Sequence, residues 1–376
     1  MLKIALVVNE PPPYRIPVFN QIAATPGIEF QVIFCCRREP NRCWDLPAMV
    51  FDHRFLRERI RTVNDRYIHN NPDVWPALSR FMPDVVVGNG FNPTHLYAMA
   101  WAGFKRKPYV PMTDGTADSE RGFSRWHKYV RRLVYARAPA CLAASQGGIA
   151  LYRSYGVNPQ RCLLSCLCID NARFYPPQAT QEKRYDFIFC SRIETGKNPV
   201  FALKLARQTA TLLGRRVQML FVGSGSQENA TRSLARSYAS ELDVDFHGFA
   251  TQAELPALYQ SARLFIFPTL GDVWGVVTNE ACAAGLPVLV SPHAGVAGEL
   301  VVDGKNGYVC ALDTAIWAEH AATLLQDDAL RTRFAQHSLQ QVGSYRFDLA
   351  AQGIVDACRA ATQVPAGSRQ FNAGIP

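Results

Sequence analysis

A repeated order restricts what this chain can become: a short, wholly apolar run, then a stretch with helical spacing. Ile4–Val8 is such a run, and a helix is predicted from about Tyr14 to Ala24. Phe30–Cys35, Asp84–Val87, Tyr109–Thr113 and Cys141–Ala144 continue the strand series, with a helix predicted over Thr94–Phe104. Strands without polar alternation have both faces covered, and helices between successive strands make those strands parallel. The pattern therefore predicts an α/β chain with doubly wound parallel sheets.

Near Asp170 the rhythm breaks. A polar stretch with two prolines follows, and a linker is predicted there. A second series then begins, with strands at Phe187–Cys190, Val217–Val222, Val244–Phe246, Leu264–Phe267 and Val288–Val290. Helices are predicted over Asn198–Leu213, Ile316–Leu325 and Ala350–Ala361. At 376 residues the chain exceeds what one core usually organises. The expected division is an amino domain over 1–170, a linker over 171–183 and a carboxyl domain over 184–345. A helix over 346–362 and a tail over 363–376 complete it.

Charge separates the two halves. Residues 1–175 carry 23 Lys and Arg against 13 Asp and Glu, or +10, whereas residues 176–376 carry 17 against 18, or −1. A basic half beside a neutral one suggests that the halves meet different partners. No apolar run approaches the ~18–20 residues of a membrane span. The opening run is also too short for a signal-peptide core, so a cytoplasmic chain is expected. The 11 cysteines are odd in number and include no C-x-x-C pair. Cys162, Cys166 and Cys168 lack zinc-site spacing, so reduced thiols are expected and no metal site.

The stretch from Pro268 to Val288 carries the most chemistry. A strand ends at Phe267, a loop with two glycines follows, and a helix opens near Gly275 and stops at Gly285. The first turn of a helix presents unpaired N–H groups and partial positive charge, which suits a phosphate. Gly275 lets a ligand approach the backbone. Asp272 before the helix and Glu280 within it are acceptor-only groups suited to sugar or ribose hydroxyls. They could equally be a capping acid and a solvated helix acid.

Ser191–Asn198 follows the first strand of the second series and holds Arg192 and Lys197. Ligands of doubly wound sheets bind at that carboxyl edge, and two cations there could neutralise a diphosphate. Gly223 and Gly225 form a third strand-to-helix turn, but the full G-x-G-x-x-G fingerprint is absent. In the first half the corresponding turn is Glu10-Pro11-Pro12-Pro13-Tyr14-Arg15. Three prolines exclude a nicotinamide-type phosphate loop, and Tyr14 and Arg15 either act at the sheet edge or anchor the helix.

These motifs occur in the order S-R-x-E-x-x-K, V-G-x-G, H-G-F, then D-x-W-G-x-x-x-x-E-A-x-A-x-G-x-P-V. That order resembles the carboxyl domain of family 4 glycosyltransferases, retaining enzymes of the GT-B fold that use nucleotide sugars. The likeness spans about Asp186–Val309, while the amino half is similar in architecture more than in motif. It implies two Rossmann-like domains facing across a cleft, the final helix returning to the first. Arg192 and Lys197 would hold the donor diphosphate, and Glu280 the ribose hydroxyls. Asp272 stands where the family usually has the first Glu of an E-x7-E pair, so the donor-sugar pose or identity would differ. Gly223, Trp274, Gly275 and Val276 would complete the donor site, the backbone of 273–276 facing the sugar and the β-phosphate. Asp114, in Thr113-Asp114-Gly115, takes the place of a family His near the donor sugar. His293 would lie in a loop facing the same cleft.

The implied activity is transfer of a sugar from a nucleotide-diphosphate sugar to a glycan or lipid-linked saccharide, as in bacterial surface polysaccharide or lipopolysaccharide assembly. No cofactor is expected to be required, and a divalent metal is not expected to be essential, since no D-x-D motif supplies ligands. A sugar-nucleotide epimerase of the same architecture, or a non-catalytic nucleotide-sugar-binding protein, remains open. Three basic, aromatic stretches, Arg54–Arg61, Lys105–Tyr109 and Arg125–Tyr135, could dock on an anionic membrane surface if helical. Peripheral placement on the inner membrane face is thus one expectation. Nucleic acid is not an expected partner, because no nucleic-acid module accompanies the charge.

Overall fold

The structure is a computed structural model that describes residues 1–40, 46–63, 66–175 and 183–364. It divides into two compact units, Met1–Leu167 with the segment from Phe347 onward, and Cys168–Arg346.

The first unit opens with β1 (Leu2–Val8), α1 (Ile16–Ala23), β2 (Ile28–Phe34) and β3 (Asp52–Phe55). A hairpin of β4 (Ile60–Val63) and β5 (Arg66–His69) leads to α2 (Val74–Phe81). Then come β6 (Val85–Gly88), α3 (Pro93–Phe104), β7 (Tyr109–Thr113) and α4 (Arg125–Arg137). β8 (Cys141–Ala143), α5 (Gln146–Ser154) and β9 (Cys162–Leu164) close the sheet. Its order is β3-β2-β1-β6-β7-β8-β9, all parallel. The central strands are apolar because helices cover both faces: Ile4 through Val7 and Val85 through Val87 are fully buried.

The second unit runs β10 (Tyr185–Cys190), α6 (Pro199–Leu213), β11 (Val217–Val222), α7 (Glu228–Ser237) and β12 (Leu242–Gly248). It continues with α8 (Leu255–Gln260), β13 (Ala262–Phe267), α9 (Val276–Ala283), β14 (Val288–Val290) and β15 (Gly307–Val309). α10 (Thr314–Gln326) and α11 (Asp328–Val342) end it. The sheet order β12-β11-β10-β13-β14-β15 is parallel and doubly wound. Chain order reverses between β10 and β13, the switch point where such sheets leave a crevice at their carboxyl edge.

α12 (Phe347–Gln363) packs on α1 and β9 of the first unit. Its inner face sets Ala350, Ala351, Ala357 and Ala361 around buried Ile354 and Val355. Gly353 lets the helix lie against β9, since a Cβ there would sit 1.7 Å from the Leu164 carbonyl oxygen.

The structure departs from expectation in two places. Residues 171–174, assigned to a linker, pack within the second unit: Asn171 is buried and its Nδ2 donates to the Val342 and Tyr345 carbonyls, both at 3.0 Å. The expected tail beyond 364, and residues 176–182 of the expected linker, lie outside the described residues. Of the three basic stretches only the third is helical. Arg54 and Phe55 belong to β3, and Lys105–Pro108 is the turn from α3 into β7. No helix among the described residues is long and apolar enough to cross a membrane.

Candidate functional site

Four loops leave the carboxyl edge of the second sheet, and backbone hydrogen bonds stitch them together. Residues 191–198 follow β10 and pair with the turn after β11: Ser191 N donates to Val222 O at 3.0 Å, and Ile193 N to Ser224 O at 2.9 Å. The approach requires glycine. Gly223 has φ +127°, and a Cβ there would lie 2.1 Å from the Ser191 carbonyl oxygen. Glu194 locks the same junction, accepting from Ser226 N at 3.0 Å and Ser226 Oγ at 2.5 Å. Those bonds hold its carboxyl below the usual range. The sequence reading gave Glu194 no role; its contact reaches 32 residues along the chain, and nothing local marks it.

The loop after β13 is fixed on both sides. Leu270 N donates to Gly196 O at 2.9 Å, and Asp272 N to His293 O at 3.1 Å. His293 is itself exposed and contributes here through its backbone. Asp272 Oδ1 accepts from Trp274 N at 3.1 Å, and its Oδ2 lies 2.5 Å from Lys197 Nζ. Lys197 and Asp272, 75 residues apart, are thus brought together. Arg192 is exposed on the same loop as Lys197.

α9 opens directly beyond. Its N-cap is Gly275 at φ +102°, and no side chain caps its first turn. Thr278 N donates to Gly275 O at 2.8 Å, so the Val276 and Val277 amides are what that turn offers an anion, near the loop that carries Lys197. Trp274 differs from the simplest reading of its position. Its side chain is 1% exposed, donates from Nε1 to Asn279 Oδ1 at 2.8 Å and packs on Tyr345. It fastens the loop to the helix, which leaves the backbone at 273–276 as what a ligand could meet.

Glu280 sits one turn further along α9 and is 7% exposed. Tyr259, fully buried, places its hydroxyl 2.8 Å from Glu280 Oε2. Burial pushes the Glu280 carboxyl up to about 7, against the smaller opposing pull of that hydrogen bond and of Arg173. A carboxyl raised in this way beside cationic loops makes Glu280 a candidate site residue.

The first unit has its own polar site at the carboxyl edge of its sheet. A pocket of 220 Å³ is lined by Asn9, Glu10, Tyr14, Glu39, Asn89 and Asp114, among others. Arg15 is 1% exposed and holds Asp114 through Nη2 at 2.9 Å. Its Nη1 donates to the Ser165 carbonyl and hydroxyl oxygens, both at 3.0 Å. Arg15 thus ties the start of α1 to Asp114 and Ser165. Asp114, in turn, is the one predicted residue that lies in the first unit, while Arg192, Lys197, Gly223, Asp272, Gly275, Val276 and Glu280 gather around the second unit's loops. Among the described residues no three His, Cys, Asp or Glu side chains come together as a metal would require.

Residues 171–341 match the family described as "Glycosyl transferases group 1". A D-inositol 3-phosphate glycosyltransferase of Corynebacterium efficiens is 28% identical over 246 residues, 60% of this chain and 56% of that protein. This chain thus spans about half the length of the curated relatives it matches. Among solved structures, Anabaena HepE in complex with UDP superposes with TM-score 0.72 and 17% identity over 95% of this chain and 99% of its own. WaaG, a glycosyltransferase involved in lipopolysaccharide biosynthesis, gives TM-score 0.65 and 16% identity over 94% and 98%. At such identities the likeness speaks to fold alone, and that fold is the GT-B class that the motifs implied.

Proposed function

We propose that this chain is a retaining glycosyltransferase. It takes a sugar from a nucleotide-diphosphate donor and delivers it to a glycan or lipid-linked saccharide, in assembly of a bacterial surface polysaccharide. One observation carries the reading: the Lys197–Asp272 pair beside the uncapped start of α9, with the costly Glu280 one turn beyond. The α9 amides, Lys197 and Arg192 neutralise the departing diphosphate, and Glu280 accepts from the ribose hydroxyls. Asp272 meets the donor-sugar hydroxyls.

No side chain in these loops is placed as a nucleophile, which favours a front-face route. The acceptor oxygen bonds to the anomeric carbon on the face that the diphosphate leaves. The acceptor proton passes to the leaving phosphate oxygen as the old C–O bond breaks. Asp114, fixed by Arg15, orients the acceptor hydroxyl in the polar pocket of the first unit, where carboxylates and amides suit hydroxyl donors.

A thermal-shift series with UDP, GDP, dTDP, ADP and CMP tests the donor site, since a ligand bound only by the folded state raises Tm. UDP is the expected hit, supported by the UDP and UDP-glucose complexes of HepE. No shift with any nucleotide would sink the donor site. Transfer is expected to persist in chelator, because protein cations supply the charge that a metal would otherwise bring. Loss in chelator with recovery on adding magnesium would refute that. Donor incubated without acceptor should keep its sugar configuration; an epimerised donor would overturn the transferase reading.

We also propose that α4 rests on an anionic membrane surface. Trp126 and Tyr129 are 68% and 52% exposed and stack at 5.8 Å, among exposed Arg125, Lys128 and Arg132. Vesicles with anionic lipid should capture the protein, and Trp126→Ala with Tyr129→Ala should weaken capture about thirty-fold, each ring contributing on the order of 1 kcal/mol. Capture unchanged by the double substitution would remove α4 from the contact.

A further inference from the structure

The opposite, amino edge of the second sheet carries a feature that glycosyl transfer does not use. β10, β11 and β13 all begin there, and an open pocket of 810 Å³ lies beside their first residues. Lys183, Arg215, Arg263 and Arg331 converge on it.

A buried carboxylate organises part of this cluster. Asp186, 2% exposed, accepts from Arg215 Nη1 at 2.8 Å, Arg215 Nη2 at 3.0 Å and Gln218 N at 3.1 Å. Arg263 Nη1 stands 3.6 Å from the same group. Arg331 donates to the Leu324 carbonyl at 3.1 Å and to Asp328 at 2.6 Å, at the turn between α10 and α11. Arg184, also in the lining, is paired off with Asp245 at 2.9 Å. Among the described residues four cations therefore face two carboxylates, leaving two positive charges in excess.

Support of strand starts and helix ends accounts for Arg215, Arg263 and Arg331 as cations that satisfy Asp186 and the last carbonyls of α10. It does not account for Lys183. That side chain is half-buried and makes no ion pair or hydrogen bond among the described residues. Burial, with Arg263 and Arg331 nearby, pushes its ammonium down to about 8. With no carboxylate bonded to it among the described residues, a lysine held beside like charges is a group that an anion in the pocket would stabilise.

We propose that this pocket is a second anion site, which takes a diphosphate or polyphosphate group. The Asp186 carboxylate fixes the arginine forks, and Lys183 adds a point charge, the combination that grips phosphate oxygens. The site is separate from the donor loops. The six residues of β10 span roughly 20 Å between the pocket and Ser191. A ligand there would hold the strand whose other end carries Arg192 and Lys197.

Calorimetric titration of the whole chain with inorganic pyrophosphate tests this. Two sites are expected, one weakened by Lys197→Ala and the other by Lys183→Met. Loss of one charge-assisted contact predicts about ten-fold weaker binding at the second site. Lys183→Met removes no bond in the fold and relieves the crowding of like charges, so a Tm at or above that of the parent chain is its control, and Arg331→Gln provides a second variant. Binding abolished by Lys197→Ala, or binding that neither Lys183→Met nor Arg331→Gln alters, overturns the proposal. If Lys183→Met removes a site while Lys197→Ala changes nothing, the pocket stands and the donor assignment falls. Two sources share this chemistry. Vesicles bearing a diphosphate-headed isoprenoid lipid that compete with pyrophosphate at the Lys183-dependent site identify a lipid headgroup. Pyrophosphate binding without such competition identifies a soluble polyphosphate.

Discussion

Lys197→Ala is expected to lower turnover at saturating donor by about 10²–10³-fold, the usual effect of removing one preorganised charge from a developing anion. The ammonium is 15% exposed and held by Asp272, so its position is set before any donor arrives. The loop that carries it is tied to the β13 loop through Gly196 O, which accepts from both Leu270 N and Thr269 Oγ1. Such a group contributes most where charge builds up, on the leaving diphosphate. The loss should therefore fall on kcat more than on KM. Lys197→Arg keeps the charge but not the compact geometry, and partial recovery is expected. Tm should change little, because Asp272 keeps its bond from Trp274 N. A variant with wild-type turnover would remove Lys197 from the chemistry, and a change in KM alone would confine it to ground-state binding.

Glu280→Gln is expected to raise stability while weakening nucleotide binding. Burial raises the folded-state pKa of Glu280 from 4.5 to about 7. The folded protein thus holds this proton more tightly than the unfolded chain. Stability from the group is greatest below about pH 4.5, falls as pH rises toward 7, and is lowest above 7. In the alkaline plateau the ionised carboxyl costs on the order of 3 kcal/mol, which glutamine avoids. Tm at pH 8 should rise by roughly 5–10 °C in the variant, and the gain should shrink toward pH 5. Affinity for the nucleotide should fall about ten-fold or more, because an amide replaces an acceptor-only group facing two hydroxyls. Equal affinity would take Glu280 out of the ribose site. Lower stability at pH 8 would show that its burial is not a cost.

The parts of the fold legible in the sequence are those written by local pattern. β7 and β14 were predicted at their observed bounds because continuous apolar runs flanked by turns leave little choice. β3, β4 and β5 were not foreseen. Asp52-His53-Arg54-Phe55 and Ile60-Arg61-Thr62-Val63 are at most half-buried and have no long apolar run. The same limit applied to the sites. Arg192, Lys197, Asp272 and Glu280 stand in ordered motifs, so they could be nominated by type and spacing. The Lys197–Asp272 contact, Arg15 beneath Asp114, and the gathering of Lys183, Arg263 and Arg331 depend on strand order in three dimensions. Trp274 shows the converse: it lies in the motif, yet its ring is core, and only its backbone faces outward.

A structure of the chain bound to UDP would test the donor site most directly. The β-phosphate is expected at the first turn of α9, within hydrogen-bond reach of Lys197 Nζ and the amides after Gly275, with the ribose hydroxyls on Glu280. A uridine diphosphate seated away from α9, or one whose phosphates meet neither Lys197 nor those amides, would contradict the assignment of this edge of the sheet as the place where the sugar donor binds.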